Sequence, residues 1–370
     1  MKKVGIICNL MTGYGGVQVC VIELMKELNT KGITPELISD VEPNFKLIDN
    51  EGIKWTYKHV NYSLKLSSFK KYAKVLFPLR EFVYYFKTSW LNGKYDFIYF
   101  FQHNIVVDDD VEHLCYLSNS PKTHYVPNVF KSKIKDFIYK IFFKSFHPIF
   151  EYDRYNSVIN SKFTAQIFKD FYNKDLQVVY PPNALIVQDQ EPQIMEKTVI
   201  SFSRICSAKR FELIFKLAKN RPDYQFFIAG ALSDSDVQYY KALREESQQM
   251  GLTNVNFILN PAYAEAIKLI SSCEYYVFFA QNEHFGITTV EAINLGCIPF
   301  VHNSGGQKEI VPNVNLRFND EDMETKFEQI LSVTNQEKKE TLSSLKVHMK
   351  NFDSKVYREE LVSFLSVKNE

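Results

Sequence analysis

The sharpest grouping of reactive side chains is Glu283-His-Phe-Gly-Ile-Thr-Thr-Val-Glu291, which follows an apolar run and opens a helical pattern. Glu283 falls in the loop and Glu291 on the helix, while Gly286 lets the main chain approach a bound group closely. The first N–H groups of a helix lack intrahelical acceptors, so those of Ile287, Thr288 and Thr289 form a ready anion site. An anion held there leaves Glu283 beside whatever the anion carries and Glu291 deeper along the helix. That combination suits a sugar joined to a phosphate. Charge at a helix start and a carboxylate on a solvated face would give the same spacing.

Upstream, Ser201-Phe-Ser-Arg204-Ile-Cys-Ser-Ala-Lys209 sets two cations five residues apart just past a strand. A leaving nucleoside diphosphate needs its growing charge neutralised, and without a metal that role falls to Arg and Lys. Each such charge-assisted bond is worth about 1.5–3 kcal/mol. Ordinary surface charge is the alternative. Gly13, Gly15 and Gly16 occupy the first strand-to-helix turn, but Gln18 stands where a dinucleotide fingerprint needs its last glycine, which excludes that reading. The turn either brings a backbone N–H to a phosphate or merely permits a tight bend. His103 stands two residues past the strand candidate Tyr95–Phe101, where a site residue and a satisfied structural histidine are both open; His124, His284 and His302 carry less. Asp108-Asp109-Asp110 reads as a solvated acidic turn, because no second carboxylate cluster completes a magnesium site.

These residues need a scaffold, and the chain supplies two. Val4–Cys8, the glycine turn, a helical pattern to Lys31 and a strand at Ile33–Ser39 open a parallel α/β domain. Residues 62–92 are mostly helical in pattern, Tyr95–Phe101 reads as a buried strand, and Val178–Tyr180 as the last strand before Pro181-Pro182-Asn183. The polar stretch Gln188–Glu196 is the best linker in the sequence. The rhythm then restarts, with strands at Thr198–Ser203, Gln225–Ala229, Asn254–Leu259, Tyr275–Ala280 and Cys297–His302. Helices fall at about 211–220, up to Met250, at 262–272 and at Ile287–Leu295, and residues 320–370 are predominantly helical. The expected architecture is α/β: two doubly wound Rossmann-like domains, residues 1–190 and 191–350, facing a central cleft, with a final helix at 351–370 packing back on the first.

Composition bounds the function. The 370 residues suit two domains, and 45% hydrophobic residues supply both cores. A net charge of +1 disfavours a general nucleic-acid binder. The balance conceals an asymmetry: residues 1–190 hold 24 basic against 19 acidic side chains, and the remainder 20 against 24. Six scattered cysteines without a C-x-x-C pair disfavour zinc ribbons and disulfide frameworks, so reduced thiols in a cytosolic protein are expected. Neither a signal peptide nor a membrane span is expected.

Two segments of the basic half are also aromatic. Residues 65–94 contain seven cations against Glu81 alone, interleaved with Phe69, Tyr72, Phe77, Phe82 and Trp90. Residues 131–144 contain five lysines against Asp136, with Phe137, Tyr139, Phe142 and Phe143. Such helices either lie on an anionic lipid surface or pack as amphipathic core helices with solvated lysines.

Together the motifs resemble glycosyltransferase family 4, the retaining nucleotide-sugar transferases of GT-B fold. The E-x7-E element is Glu283 to Glu291, followed by Gly296-Cys-Ile-Pro-Phe-Val and Ser304-Gly-Gly-Gln-Lys-Glu309. The Arg-x4-Lys pair is Arg204 and Lys209, the glycine turn Gly15-Gly16, and the junction Val178-Val-Tyr-Pro-Pro-Asn183. The resemblance implies that Arg204 and Lys209 bind the donor diphosphate and stabilise it as it leaves, that Glu283 holds donor-sugar hydroxyls, and that Glu291 binds the ribose. It implies that Phe285, Gly286, Ile287 and Thr288 present amides to sugar and phosphates, and that the glycine turn approaches the diphosphate from the opposite domain. His103 matches a histidine that contacts the donor sugar near the reacting carbon. No cofactor or metal is implied, because the NDP-sugar is a substrate, and no protein nucleophile is implied.

Two departures stand out. Arg210 follows the lysine where the family usually has glycine, which alters the loop or adds a phosphate contact, and Tyr14 precedes the glycine turn. The Tyr-Pro-Pro junction is similar to that of mannosyltransferases that build lipid-linked oligosaccharides. The partners expected are a UDP- or GDP-sugar, a saccharide or lipid-linked acceptor, and an anionic membrane surface met by residues 65–94 and 131–144, with a cytoplasmic, peripheral location. The alternatives within reach are a nucleotide-sugar hydrolase or epimerase of the same fold, a non-catalytic partner subunit, and a metal-dependent GT-A transferase resting on Asp108–Asp110.

Overall fold

Val4–Ile7 is an apolar run with no polar interruption, and it becomes a strand buried on both faces (β1), as a central parallel strand must be. The computed structural model describes residues 2–12, 15–39, 41–60, 93–101, 112–118, 156–183 and 194–365. These form two units, Met1–Pro182 with Ser354–Glu370, and Asn183–Asp353.

In the first unit, β1 leads through Gly15 into α1 (Gly16–Thr30), then β2 (Glu36–Ser39), the short α2 (Phe45–Asp49) and β3 (Thr56–His59). The chain continues with β4 (Phe97–Phe101), β5 (His113–Leu117), β6 (Ser157–Ile159), α3 (Lys162–Tyr172) and β7 (Gln177–Val178). The sheet order is β3-β2-β1-β4-β5-β6-β7 and the pairs are parallel, with Ile6 opposite both Leu37 and Tyr99.

The second unit repeats the scheme: β8 (Met195–Phe202), α4 (Ile214–Asn220), β9 (Gln225–Gly230), α5 (Val237–Gln249), β10 (Val255–Leu259) and α6 (Tyr263–Ser271). There follow β11 (Cys273–Phe278), α7 (Ile287–Asn294), β12 (Ile298–His302), α8 (Gln307–Ile310), β13 (Arg317–Phe318), α9 (Met323–Leu331) and α10 (Asn335–Met349). The order is β10-β9-β8-β11-β12-β13, again parallel.

The last helix, α11 (Ser354–Ser363), belongs to the first unit. Tyr357, Leu361, Val362 and Leu365 join its core, the Tyr357 hydroxyl donates to the Cys20 carbonyl at 3.0 Å, and Arg358 pairs with the buried Glu23 at 2.7 Å.

Three element boundaries and the domain junction differ from expectation. The strand expected at Val178–Tyr180 is Gln177–Val178. Val179 still donates to Ile159, but Pro181 and Pro182 have no N–H with which to continue a ladder. The helix expected from Phe211 begins as two 3-10 turns, Ser207–Lys209 and Phe211–Leu213, because Arg210 between them is left-handed (φ 56°). The strand expected from Thr198 starts at Met195, whose N–H donates to Ser272 O at 2.8 Å. The junction between the units falls at Pro182–Asn183, ahead of the polar stretch read as a linker, and Asn183 bonds Phe352.

Candidate active site at the carboxyl ends of β8 and β11

In the second sheet the chain leaves β8 toward β9 on one side and later places β11 on the other. Crossovers that depart to opposite faces open a crevice beyond the carboxyl ends of such a strand pair, which is where doubly wound sheets bind ligands. The loop after β8 carries Arg204 and Lys209, and the loop after β11 carries Glu283. Strand order thus gathers the two motifs that the sequence showed as separate.

Lys209 Nζ and Glu283 Oε2 form an ion pair with side chains only 15% and 22% exposed, and the ammonium also lies 5.0 Å from the Phe278 ring centroid. Lys209, expected on the phosphate side, and Glu283, expected on the sugar side, are thus joined to each other. Arg204 is exposed, and its guanidinium has no hydrogen-bond or ion-pair partner among the described residues.

The Glu283 backbone is gripped from the β12 side. Its carbonyl accepts from the Gly306 N–H at 2.8 Å, and the Asn282 N–H donates to Ser304 Oγ at 2.8 Å. Gly305 adopts φ +66°, and a Cβ there would stand 2.3 Å from the Glu283 carbonyl oxygen, so the approach requires glycine. Gly286 is similar: φ is +110°, and a Cβ would meet Gln307 Nε2 at 2.0 Å. Gln307 is fully buried, with Oε1 accepting from Thr289 Oγ1 at 2.9 Å and Nε2 lacking a hydrogen-bond partner among the described residues.

At the start of α7 one expectation is corrected. The Thr289 N–H is not free; it donates to the Gly286 carbonyl at 2.9 Å, tightening the first turn. The amides left for an anion are those of Ile287 and Thr288. Thr288 Oγ1 lies 2.8 Å from the hydroxyl of the buried Tyr276, which also donates to Phe202 O at 3.1 Å and so ties the helix to the end of β8. Glu291 is half-buried, and desolvation pushes its carboxyl up to about 7. Burial likewise lowers His284, opposed by Glu283 and assisted by Lys209. Phe285 is buried, its ring edge-on to Phe352 at 5.4 Å.

Arg210 is engaged within the protein. Its guanidinium donates to Asp320 Oδ2 at 2.8 Å and to Phe279 O at 3.3 Å. Asp320, Gln281 and Tyr276 are site-supporting residues that spacing did not reveal, the signal for Asp320 being an arginine where the resemblance expects glycine, whereas Ser304 and Gln307 fall in the Ser304–Glu309 run that the resemblance had singled out.

In the first unit, Gly15 caps α1 with extended backbone, Gly16 is its first residue, and Gly15 O accepts from Val19 N–H at 3.1 Å. His103, Asp108–Asp110, Gly13, Tyr14, residues 131–144 and all but the last two of residues 65–94 lie outside the described residues. Among the described residues no group of three or more His, Cys, Asp or Glu side chains is placed to hold a metal ion, and no helix is long and apolar enough to cross a membrane. The six cysteines are free, and burial pushes the thiols of Cys8, Cys20, Cys115 and Cys273 up to about 12.

Two doubly wound parallel units, the second with a cation–carboxylate site at its switch point, define a GT-B protein. HepE of Anabaena, solved with UDP and glucose, superposes with a TM-score of 0.69 over 99% of this chain and all of that one at 17% identity. A glycosyltransferase from Rickettsia africae gives 0.68 at 16% identity over 100% of this chain and 99% of its own. Residues 185–344 match the family of glycosyl transferases group 1. Among curated relatives, the GDP-Man:Man(3)GlcNAc(2)-PP-Dol alpha-1,2-mannosyltransferase of Candida albicans is 29% identical over 158 residues, covering 38% of this chain and 26% of that protein. An alpha-1,3/1,6-mannosyltransferase of Schizosaccharomyces pombe is 29% identical over 192 residues, covering 42% and 38%. The chain spans less than half the length of these curated relatives.

Proposed function

We propose that this protein is a retaining, metal-independent glycosyltransferase that moves a sugar from an NDP-sugar to a glycan or lipid-linked saccharide acceptor. The observation that carries the reading is the convergence of Lys209, Glu283 and the first turn of α7 at the β8/β11 switch point. In the reaction the bond between the anomeric carbon and the diphosphate oxygen breaks, a bond to the acceptor hydroxyl forms on the same face, and the acceptor proton passes to the departing phosphate. Arg204 and Lys209 neutralise the diphosphate as charge grows on it, together with the amides of Ile287 and Thr288. Glu283 takes donor-sugar hydroxyls in exchange for part of its hold on Lys209, and Glu291 takes the ribose. Phe285 and Gly286 shape the sugar-facing backbone, Gly15 and Gly16 offer main-chain N–H groups to the diphosphate, and His103 serves the sugar near its reacting carbon.

GDP and UDP are the nucleotides favoured, GDP by the names of the mannosyltransferase relatives and UDP by the bound HepE. A lipid-linked acceptor agrees with the basic aromatic segments 65–94 and 131–144, which would meet an anionic membrane at its cytoplasmic face.

Ligands that bind only the native state raise stability by mass action. The test is thermal stabilisation by UDP, GDP, ADP, CMP and dTDP, each with and without EDTA. A strong EDTA-resistant response to GDP or UDP is expected. No response to any nucleotide would remove the donor site. In transfer assays, Arg204→Ala and Lys209→Ala should each lower turnover by about tenfold or more with folding intact, since each removes a charge-assisted bond to the leaving group. Near-normal rates in both would overturn the leaving-group assignment.

A further inference from the structure

We infer that Asp320 is a positioning residue for the nucleotide-sugar site, clasping the loop that bears Lys209 to the loop that bears Glu283. The inference rests on the reading of that site proposed above. Asp320 stands just past β13, two strands from β11, and bonds Arg210 and Gln281, not the Lys209–Glu283 pair itself. Its Oδ2 accepts from Arg210 Nη2 at 2.8 Å and from Gln281 Nε2 at 3.0 Å. Arg210 is the residue after Lys209, and Gln281 lies two residues before Glu283. One carboxylate oxygen therefore joins the two loops beside the place where the Lys209–Glu283 pair joins them.

The other oxygen, Oδ1, lies 3.4 Å from His302 Nε2. The opposite ring nitrogen of His302 is 2.8 Å from Ser304 Oγ, which accepts from the Asn282 N–H at 2.8 Å. A second path thus runs from Asp320 to the backbone adjoining Glu283. The Arg210 guanidinium holds the Asp320 carboxyl below the usual carboxylate range, with His302 adding to the effect.

A partly exposed ion pair is ordinarily of little consequence for stability, and Asp320 is 46% exposed. Here the pair does something else. Arg210 holds φ +56°, a left-handed conformation that a residue with a Cβ adopts only when its surroundings impose it. The guanidinium supplies that restraint, reaching Asp320 with one nitrogen and the Phe279 carbonyl, at the start of the Glu283 loop, with the other. Lys209 is the residue immediately before this anchored turn, so the turn sets where its ammonium emerges.

Charge and position make opposite predictions, which renders the inference testable. Asp320 is a negative group near an anion site. If it acted through charge alone, Asp320→Ala would tighten diphosphate binding and release Arg210 as a further cation. If it acts by position, the same substitution loosens binding.

The experiment is titration calorimetry of GDP and UDP into the 370-residue chain and its Asp320→Ala, Asp320→Asn, Arg210→Gly and Arg210→Gly/Asp320→Ala variants. Asp320→Ala is expected to weaken the preferred nucleotide about tenfold, and Asp320→Asn less, because one acceptor oxygen remains. In the Arg210→Gly background, where glycine adopts the left-handed turn unaided, loss of Asp320 is expected to cost less than threefold. Unchanged or tighter binding by Asp320→Ala overturns the inference, as does equal weakening with and without Arg210. Should Asp320→Ala melt early without ligand, the Asp320→Asn and Arg210→Gly arms decide by the same comparison. Failure of the wild-type chain to bind either nucleotide overturns the site reading itself, and the inference falls with it.

Discussion

Glu291 shows how a half-buried residue with a desolvated carboxyl can be recognised by its titration. An unfolded glutamate releases its proton near 4.5, whereas burial holds that of Glu291 to about 7. Between those values the folded chain binds a proton that the unfolded chain has lost, so the group's contribution to stability falls as pH rises. The contribution is complete below the unfolded value and gone above the folded one. We expect the wild type to lose on the order of 1–3 kcal/mol from this group between pH 5 and 7, and Glu291→Gln to show a flatter decline in Tm over the same window. Parallel declines would put the carboxyl in water. His284 and His302, both lowered mainly by burial, act in the opposite sense, losing stability as pH falls, and they cancel in the comparison of the two chains.

At the scale of elements, the Arg204 loop hangs from the end of β9 as much as from β8. Ser203 N–H donates to Ala229 O at 3.1 Å and Ile205 N–H to Ala231 O at 2.8 Å, spanning Gly230. Gly230 itself has φ +147°, and a Cβ there would lie 1.8 Å from the Ser203 carbonyl oxygen. The nearest atom is backbone, so neither side can yield cheaply. Gly230→Ala should therefore destabilise the chain by about 1–3 kcal/mol, read as an earlier urea midpoint, and should weaken nucleotide binding by displacing Arg204. A midpoint and an affinity both equal to wild type would mean that the two strand ends are not coupled.

For the whole molecule, the consequential feature is a first unit completed by the far end of the chain. Tyr357, Leu361 and Val362 of α11, with Leu365 beyond it, are core residues of that unit, and Arg358 covers Glu23, which is only 2% exposed. Burial of each large apolar side chain is worth about 1.5–3 kcal/mol, so their joint removal is comparable to the whole margin of a typical domain, about 5–15 kcal/mol. Truncation after Asp353 is expected to leave residues 1–182 open to limited proteolysis while 183–353 resist, with mass spectrometry identifying the surviving fragment. A truncated chain cut like the wild type would show that α11 is dispensable.

What the sequence determined by itself is what local pattern can encode. Alternating apolar runs and helical periodicities marked two α/β halves. The spacings Glu283 to Glu291 and Arg204 to Lys209 singled out the loops that the strand order of the second sheet brings together, and Gly286 announced a close backbone approach. Each of these is a relation between residues a few positions apart, set by the period of one strand or one helical turn. The pairing of Lys209 with Glu283 spans 74 positions, the tie of Arg210 to Asp320 spans 110, and the bond from Tyr357 to Cys20 spans 337. Only the tertiary structure decided these, because the order in which strands pair, not their own composition, determines which loop ends meet.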